Sequence, residues 1–97
     1  MDVQAGAPQL QHVVAALIGS IPEVEAVLTG REDSLMRVWT VVSDASREVR
    51  RKVYGKEREV IDSHEPFDFE FRVFSSRGRD ARSFLAETMT LSYQRSH

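Results

Sequence analysis

Three titratable side chains recur at heptad spacing in the middle of the chain: Arg50, Glu57 and His64. A heptad is close to two helical turns, so on an α-helix the three fall in one row. A carboxylate between a guanidinium and an imidazole can hold a small polar ligand or move a proton, provided that a cavity adjoins it. Glu57 also falls inside an apolar arc, with Val49, Val53 and Val60 along one edge and Tyr54 and Ile61 along the other. A charge in that position is costly unless it is paired. The expected partner is an arginine, with Arg50, Arg37 and Arg72 as candidates. Failing that, the carboxylate snorkels out at the helix margin.

The same segment is locally basic. Arg47, Arg51 and Arg58 are candidate contacts for an anion or a phosphate backbone, and Arg77 and Arg79 flank Gly78 in a second small basic spot. Phosphate contacts of this kind are salt-sensitive, because they work by counterion release. Glutamates interrupt the run, however, and such faces are ordinarily solvated and laced with i,i+4 pairs. The net charge of −2 gives no general pull toward nucleic acid. Nucleic-acid binding through residues 47–58 is therefore the lesser expectation, and Arg77-Gly78-Arg79 reads first as a turn.

Metal and nucleophile chemistry have little to work with. Cysteine is absent, which excludes disulfides and thiolate ligands and suits a reducing compartment such as the cytoplasm. His12, His64 and His97 sit in separate elements, and no phosphate loop, zinc motif or dinucleotide fingerprint is present. The expectation is no metal, no cofactor and no catalytic residue. No apolar run approaches the roughly 20 residues that span a bilayer, and the first residues lack a signal-peptide pattern.

The elements that would position these residues follow from periodicity. Leu10, Val13, Val14, Leu17, Ile18 and Ile21 recur at helical spacing after Pro8, which suits a first helical turn. Residues 24–29 and 35–42 read as an antiparallel hairpin around a turn at 30–34, with Val24, Ala26 and Leu28 inward. Asp44 or Ser46 can cap a second helix over about 45–63. Phe67, Phe69, Phe71 and Val73 alternate with Asp68, Glu70 and Arg72, the pattern of a half-buried strand. Its supply of phenyl rings predicts a central strand, parallel to 35–42 through a right-handed crossover. Residues 81–87 read as a helical turn and 88–93 as a last edge strand, with 1–7 and 94–97 as mobile tails. The fold class expected is α+β in one domain: a two-layer sandwich in the order α-β-β-α-β(-β), with helices on one face of a mixed sheet.

That order of elements is similar to small nucleotidyltransferase-like domains. In that family a Gly-Ser pair after the first strand holds phosphate, and carboxylates on the second and third strands hold magnesium. Thr29-Gly30 stands where the Gly-Ser pair would be, and Asp68 or Glu70 matches the third carboxylate. The second strand, Leu35-Met36-Arg37-Val38-Trp39-Thr40, carries no acidic pair, so the resemblance implies a degenerate domain without two-metal ligands.

The strand at 35–42 is apolar on both faces, and two helices cover only one face of a sheet. The other face then needs a cover, for which a second copy of the chain is a candidate, with Met36, Val38 and Val42 as interface residues. The leading functional expectation is a non-catalytic interaction or regulatory module that self-associates through its sheet or meets another protein, a dimer being the simplest closed form. A small-ligand binder built on Arg50, Glu57 and His64 is the alternative.

Overall fold

The computed structural model describes residues 6–63, 68–85 and 89–95, with side chains from Leu10 onward. The apolar stripe predicted near the N-terminus forms α1 (Gly6–Gly19). Val14, Ala15 and Ile18 are buried on its inner face, while Val13 at the edge of the stripe stays half exposed. The hairpin follows as β1 (Val24–Glu32) and β2 (Leu35–Val42). Its turn is tighter than the polar cluster suggests: Glu32 pairs with Leu35, leaving Asp33 and Ser34 as the loop, with Asp33 at φ 55°. Asp tolerates that left-handed conformation better than most residues, because its short side chain bonds locally.

The second helix is α2 (Arg47–Ser63), entered through Ser46, whose Oγ accepts the Val49 amide at 3.3 Å. It leads to β3 (Asp68–Ser75), parallel to β2, and a short 3-10 helix (Ala81–Phe84) precedes β4 (Met89–Gln94). Asp80 caps the 3-10 turn by accepting the Arg82 amide at 2.9 Å. The fold is the expected α+β sandwich, with a mixed four-stranded sheet in the order β3-β2-β1-β4. No described helix is long and apolar enough to cross a membrane.

Two corrections concern the sheet. The strand rich in phenylalanine is not central. Among the described residues β3 has one neighbour, β2, and lies at the sheet margin, while β2 and β1 take the middle. Periodicity reports which way side chains point, not which strands stand beside them. The second correction is an irregularity between Val24 and Ala26, where one extra residue of β1 is accommodated opposite Val42 and Val41. Such a bulge shifts the alternation by one. Val24 and Val27 therefore face the helices, and Ala26 and Leu28 face the opposite side rather than sharing Val24's face.

Each face has its own core. On one, Val14, Ile18 and Ile21 meet Val24, Val27, Met36, Val38 and Val42, together with Val49, Val53 and Val60 of α2. Burying each large side chain contributes about 1.5–3 kcal/mol. On the other, Ala26, Leu28 and Val41 pack with Ala81, Met89, Phe84 and Leu85. Phe74 bridges this cover, 5.3 Å from Trp39 edge-to-face and 5.2 Å from Phe84, with the Arg79 guanidinium 4.5 Å above the Phe84 ring. The chain thus covers much of its own second face. Met36, Val38 and Val42, the expected interface residues, have no exposed surface and are core beneath the helices.

Of the predicted tail 94–97, Gln94 ends β4 and Arg95 is tied down, while 96–97 lie outside the described residues. Arg95 donates from its guanidinium to the carbonyls of Val24, Gly19 and Ile21 at 3.0, 3.2 and 2.9 Å, and its amide donates to Glu25. A cation over the carbonyls that end α1 complements the negative end of the helix.

Candidate functional site

Glu57 lies where the helical wheel puts it, on the buried stripe of α2 with Val49, Val53 and Val60. Only 7% of it is exposed, and its Oε2 is shielded from solvent without a hydrogen-bond partner. No described arginine pairs with it. Desolvation alone pushes its pKa up from 4.5 to about 7. Glu57 lines neither of two grooves on the outer surface of α2. Arg50 turns away, its Nε donating to Ala45 O at 3.0 Å, and His64 lies outside the described residues. Arg50 and Glu57 are thus not brought together, and among the described residues Glu57 is a buried acid whose Oε2 has no partner, on the apolar stripe of α2.

The outer surface of α2 carries two grooves with different electrostatics. One, of about 460 Å3, runs between Ser20-Ile21-Pro22 and the α2 residues Lys52, Gly55 and Lys56. Its lysines are neutralised, Lys52 by Glu23 at 2.8 Å and Lys56 by Glu59 at 3.6 Å. The Lys52 contact lowers the Glu23 pKa and raises that of Lys52, as a hydrogen-bonded ion pair does. The other groove, about 300 Å3, is lined by Arg47, Arg50, Arg51 and Tyr54. The i, i+3, i+4, i+7 spacing brings these four to one face. None of the three guanidinium groups has a carboxylate partner among the described residues, and half the Tyr54 surface is open to solvent.

The other basic spots are ordinary. Arg58 is exposed on α2. Arg77 and Gly78 adopt φ of 49° and 84° in a turn closed by the Arg79 amide on Ser76 O at 2.9 Å. Consecutive left-handed residues of this kind make a primed β-turn. Arg79 is engaged over Phe84.

The chain matches no protein-family model, no curated protein and no solved structure. Its own geometry must carry the reading. Where the nucleotidyltransferase-like resemblance places metal-binding carboxylates, the strands hold a salt-bridge cluster instead. Arg37 of β2 donates to Glu70 at 3.0 Å and to Glu32 at 3.1 Å, and Arg72 approaches Glu70 at 3.4 Å. Those hydrogen bonds raise the Arg37 pKa further. Thr29 is spent internally, bridging Gln11 at 3.0 Å and Ser92 at 2.6 Å.

The feature that pattern reading missed is the margin of the sheet. All eight residues of β3 are exposed or half-buried, including Phe69, Phe71, Val73 and Phe74. Phe69 and Phe71 stack with ring centroids 5.4 Å apart and planes 12° from parallel. The pairing of β3 with β2 runs from Asp68 to Ser75 without a register shift. At the other margin β4 is shorter and irregular, its register slipping between Val27 and Leu28 of β1. Bulges and short length are how edge strands are protected from pairing with other chains. β4 has both devices; β3 has neither.

Proposed function

We propose that this chain is a non-catalytic interaction module that self-associates through its sheet, by the free edge of β3. A single observation carries the reading: among the described residues β3 is a regular edge strand of eight residues, none fully buried, whose phenylalanines keep part of their surface open. A long, regular edge presents a row of unpaired backbone donors and acceptors to any strand that can align with it. Adding a strand would satisfy those groups and extend the apolar face that Phe69 and Phe71 begin. The contact surface is thus the sheet margin, not the buried face of β2.

Size-exclusion chromatography with light scattering, from about 10 to 500 µM, tests this. A mass that rises toward twice 11.0 kDa with concentration is expected. A monomer across the whole range refutes self-association.

A second reading is favoured by the groove of Arg47, Arg50, Arg51 and Tyr54, where cations without carboxylate partners adjoin an open aromatic ring. That pairing suits a phosphate-bearing ring, with guanidinium groups on the phosphate and Tyr54 as a stacking surface. Titration with adenosine 5′-monophosphate at low salt should shift amide resonances across 47–54. No shift at 20 mM ligand rules it out.

A further inference from the structure

We infer that the second strand on the β3 edge is β3 of another copy, antiparallel, with Phe71 opposite the partner's Phe71 on a two-fold axis. This rests on the proposed self-association and goes further by fixing partner, direction and register. A closed homodimer is two-fold, and a two-fold axis across a strand edge sets the strand antiparallel to itself.

The backbone decides which residues meet. Asp68 and Ser76 both donate their amides toward β2, to Ser34 O at 3.0 Å and Val42 O at 2.8 Å. In a parallel ladder, alternate residues direct their amide and carbonyl to alternate edges. The even-numbered residues of β3 therefore serve β2. Phe69, Phe71 and Val73 direct theirs outward. A second β3 must set these odd residues against one another, forming about six cross-chain backbone bonds.

Charge then selects among the registers that satisfy the backbone. Asp68, Glu70 and Arg72 all lie on the face away from the helices, and charged residues directly opposite one another interact. With Phe71 on the axis, Glu70 lies opposite the partner's Arg72 and Arg72 opposite the partner's Glu70. Moving the axis to residue 70 sets Glu70 against itself. Moving it to residue 72 sets Arg72 against itself. Moving it to residue 69 puts Asp68 against Glu70 twice. A shift to residue 73 avoids like charges but gives up both pairs and shortens the ladder. Only the Phe71 register pairs opposite charges with no like-charge contact. On the helix face it also sets Phe69 against the partner's Val73 and the two Phe71 rings beside each other. The existing Arg37–Glu70 contact at 3.0 Å can persist, since a carboxylate accepts from more than one guanidinium.

The test uses the full chain in two measurements. A mixture of isotope-labelled and unlabelled protein, examined by a filtered nuclear Overhauser experiment, should show a cross-chain contact between the Glu70 and Arg72 α-protons, which face each other closely in this register. Independently, Glu70→Arg and Arg72→Glu should each weaken dimerisation at least tenfold, and mixing the two variants should restore it as a heterodimer. Circular dichroism identifies a variant that fails to fold, and the labelled mixture needs no variant. A dimer whose cross-chain contact is Glu70 to Glu70, Arg72 to Arg72, or elsewhere overturns the register while leaving self-association standing. A monomer at 500 µM overturns both.

Discussion

Replacing Glu57 by glutamine should remove a pH dependence that the wild-type fold carries. The carboxyl is buried on α2 and its Oε2 has no partner, so folding raises its pKa from 4.5 to about 7. Below pH 4.5 it is protonated in both the folded and unfolded states and costs nothing beyond burial. Between 4.5 and 7 the unfolded chain releases the proton and the folded chain keeps it, so stability falls as pH rises. Above 7 the folded carboxylate ionises too and the loss levels off. At about 1.4 kcal/mol per pH unit the rise from 4.5 to about 7 is worth about 3.5 kcal/mol. Solvent reaching the 7% of Glu57 that stays exposed screens part of this, so about 2 kcal/mol is expected. Urea unfolding of wild type and Glu57→Gln at pH 5 and pH 8 reads it directly. With an m-value of about 1–2 kcal/mol/M, the wild-type midpoint should drop about 1–2 M relative to the variant between the two pH values. Glutamine adds its own burial cost, but that cost does not change with pH. Parallel curves for the two proteins would refute the reasoning, because they would mean that Glu57 ionises as it does in water.

Three further substitutions report on the packing. Gly55→Ala should stabilise the fold by about 0.5–1 kcal/mol in the same assay, since Gly55 is inside α2 with open space where a methyl would go. Gly19→Ala should destabilise by about 1–3 kcal/mol, because its Cβ would stand 2.9 Å from three carbons of the Tyr93 ring, and the melting temperature should fall accordingly. Arg95→Ala should cost about 1–3 kcal/mol by removing the guanidinium from the carbonyls of Gly19, Ile21 and Val24, of which Ile21 keeps the Val24 amide, and amide exchange at the end of α1 should quicken.

The periodic elements were legible because each one's inner face repeats within a short window. The α1 stripe, the hairpin, the β2–α2–β3 crossover and the position of Glu57 on its helix all followed from spacing. What spacing could not convey was adjacency. The alternation of phenylalanines is the same for a central strand as for an edge one, so nothing local in Phe69 to Phe74 betrays the missing neighbour. The bulge in β1 has no marker in Val24-Glu25-Ala26, yet it moves Ala26 and Leu28 to the other face. Arg95 gave no sign of its role, because its partner carbonyls lie more than 70 residues earlier in the chain. The cover over the second face was likewise invisible as such. Phe84 and Leu85 read only as part of a short helical turn until Phe74 and Trp39 are placed beside them.

β4 closes the sheet against β1, and Arg95 bolts the end of that strand to the end of α1. In any folding order that brings β4 in last, the rest of the sheet first stands without it. Until β4 docks, β1 stands at a margin with Val27 and Leu28 beside an open ladder, and α1 lacks the ring of Tyr93 against Gly19. Without β4 the borders of the sheet are β3 and β1, whereas in the finished sheet the short, irregular β4 takes the place of β1. That interval is when wrong strand pairing is most easily made, and a helper that shields partly folded chains would act on β1.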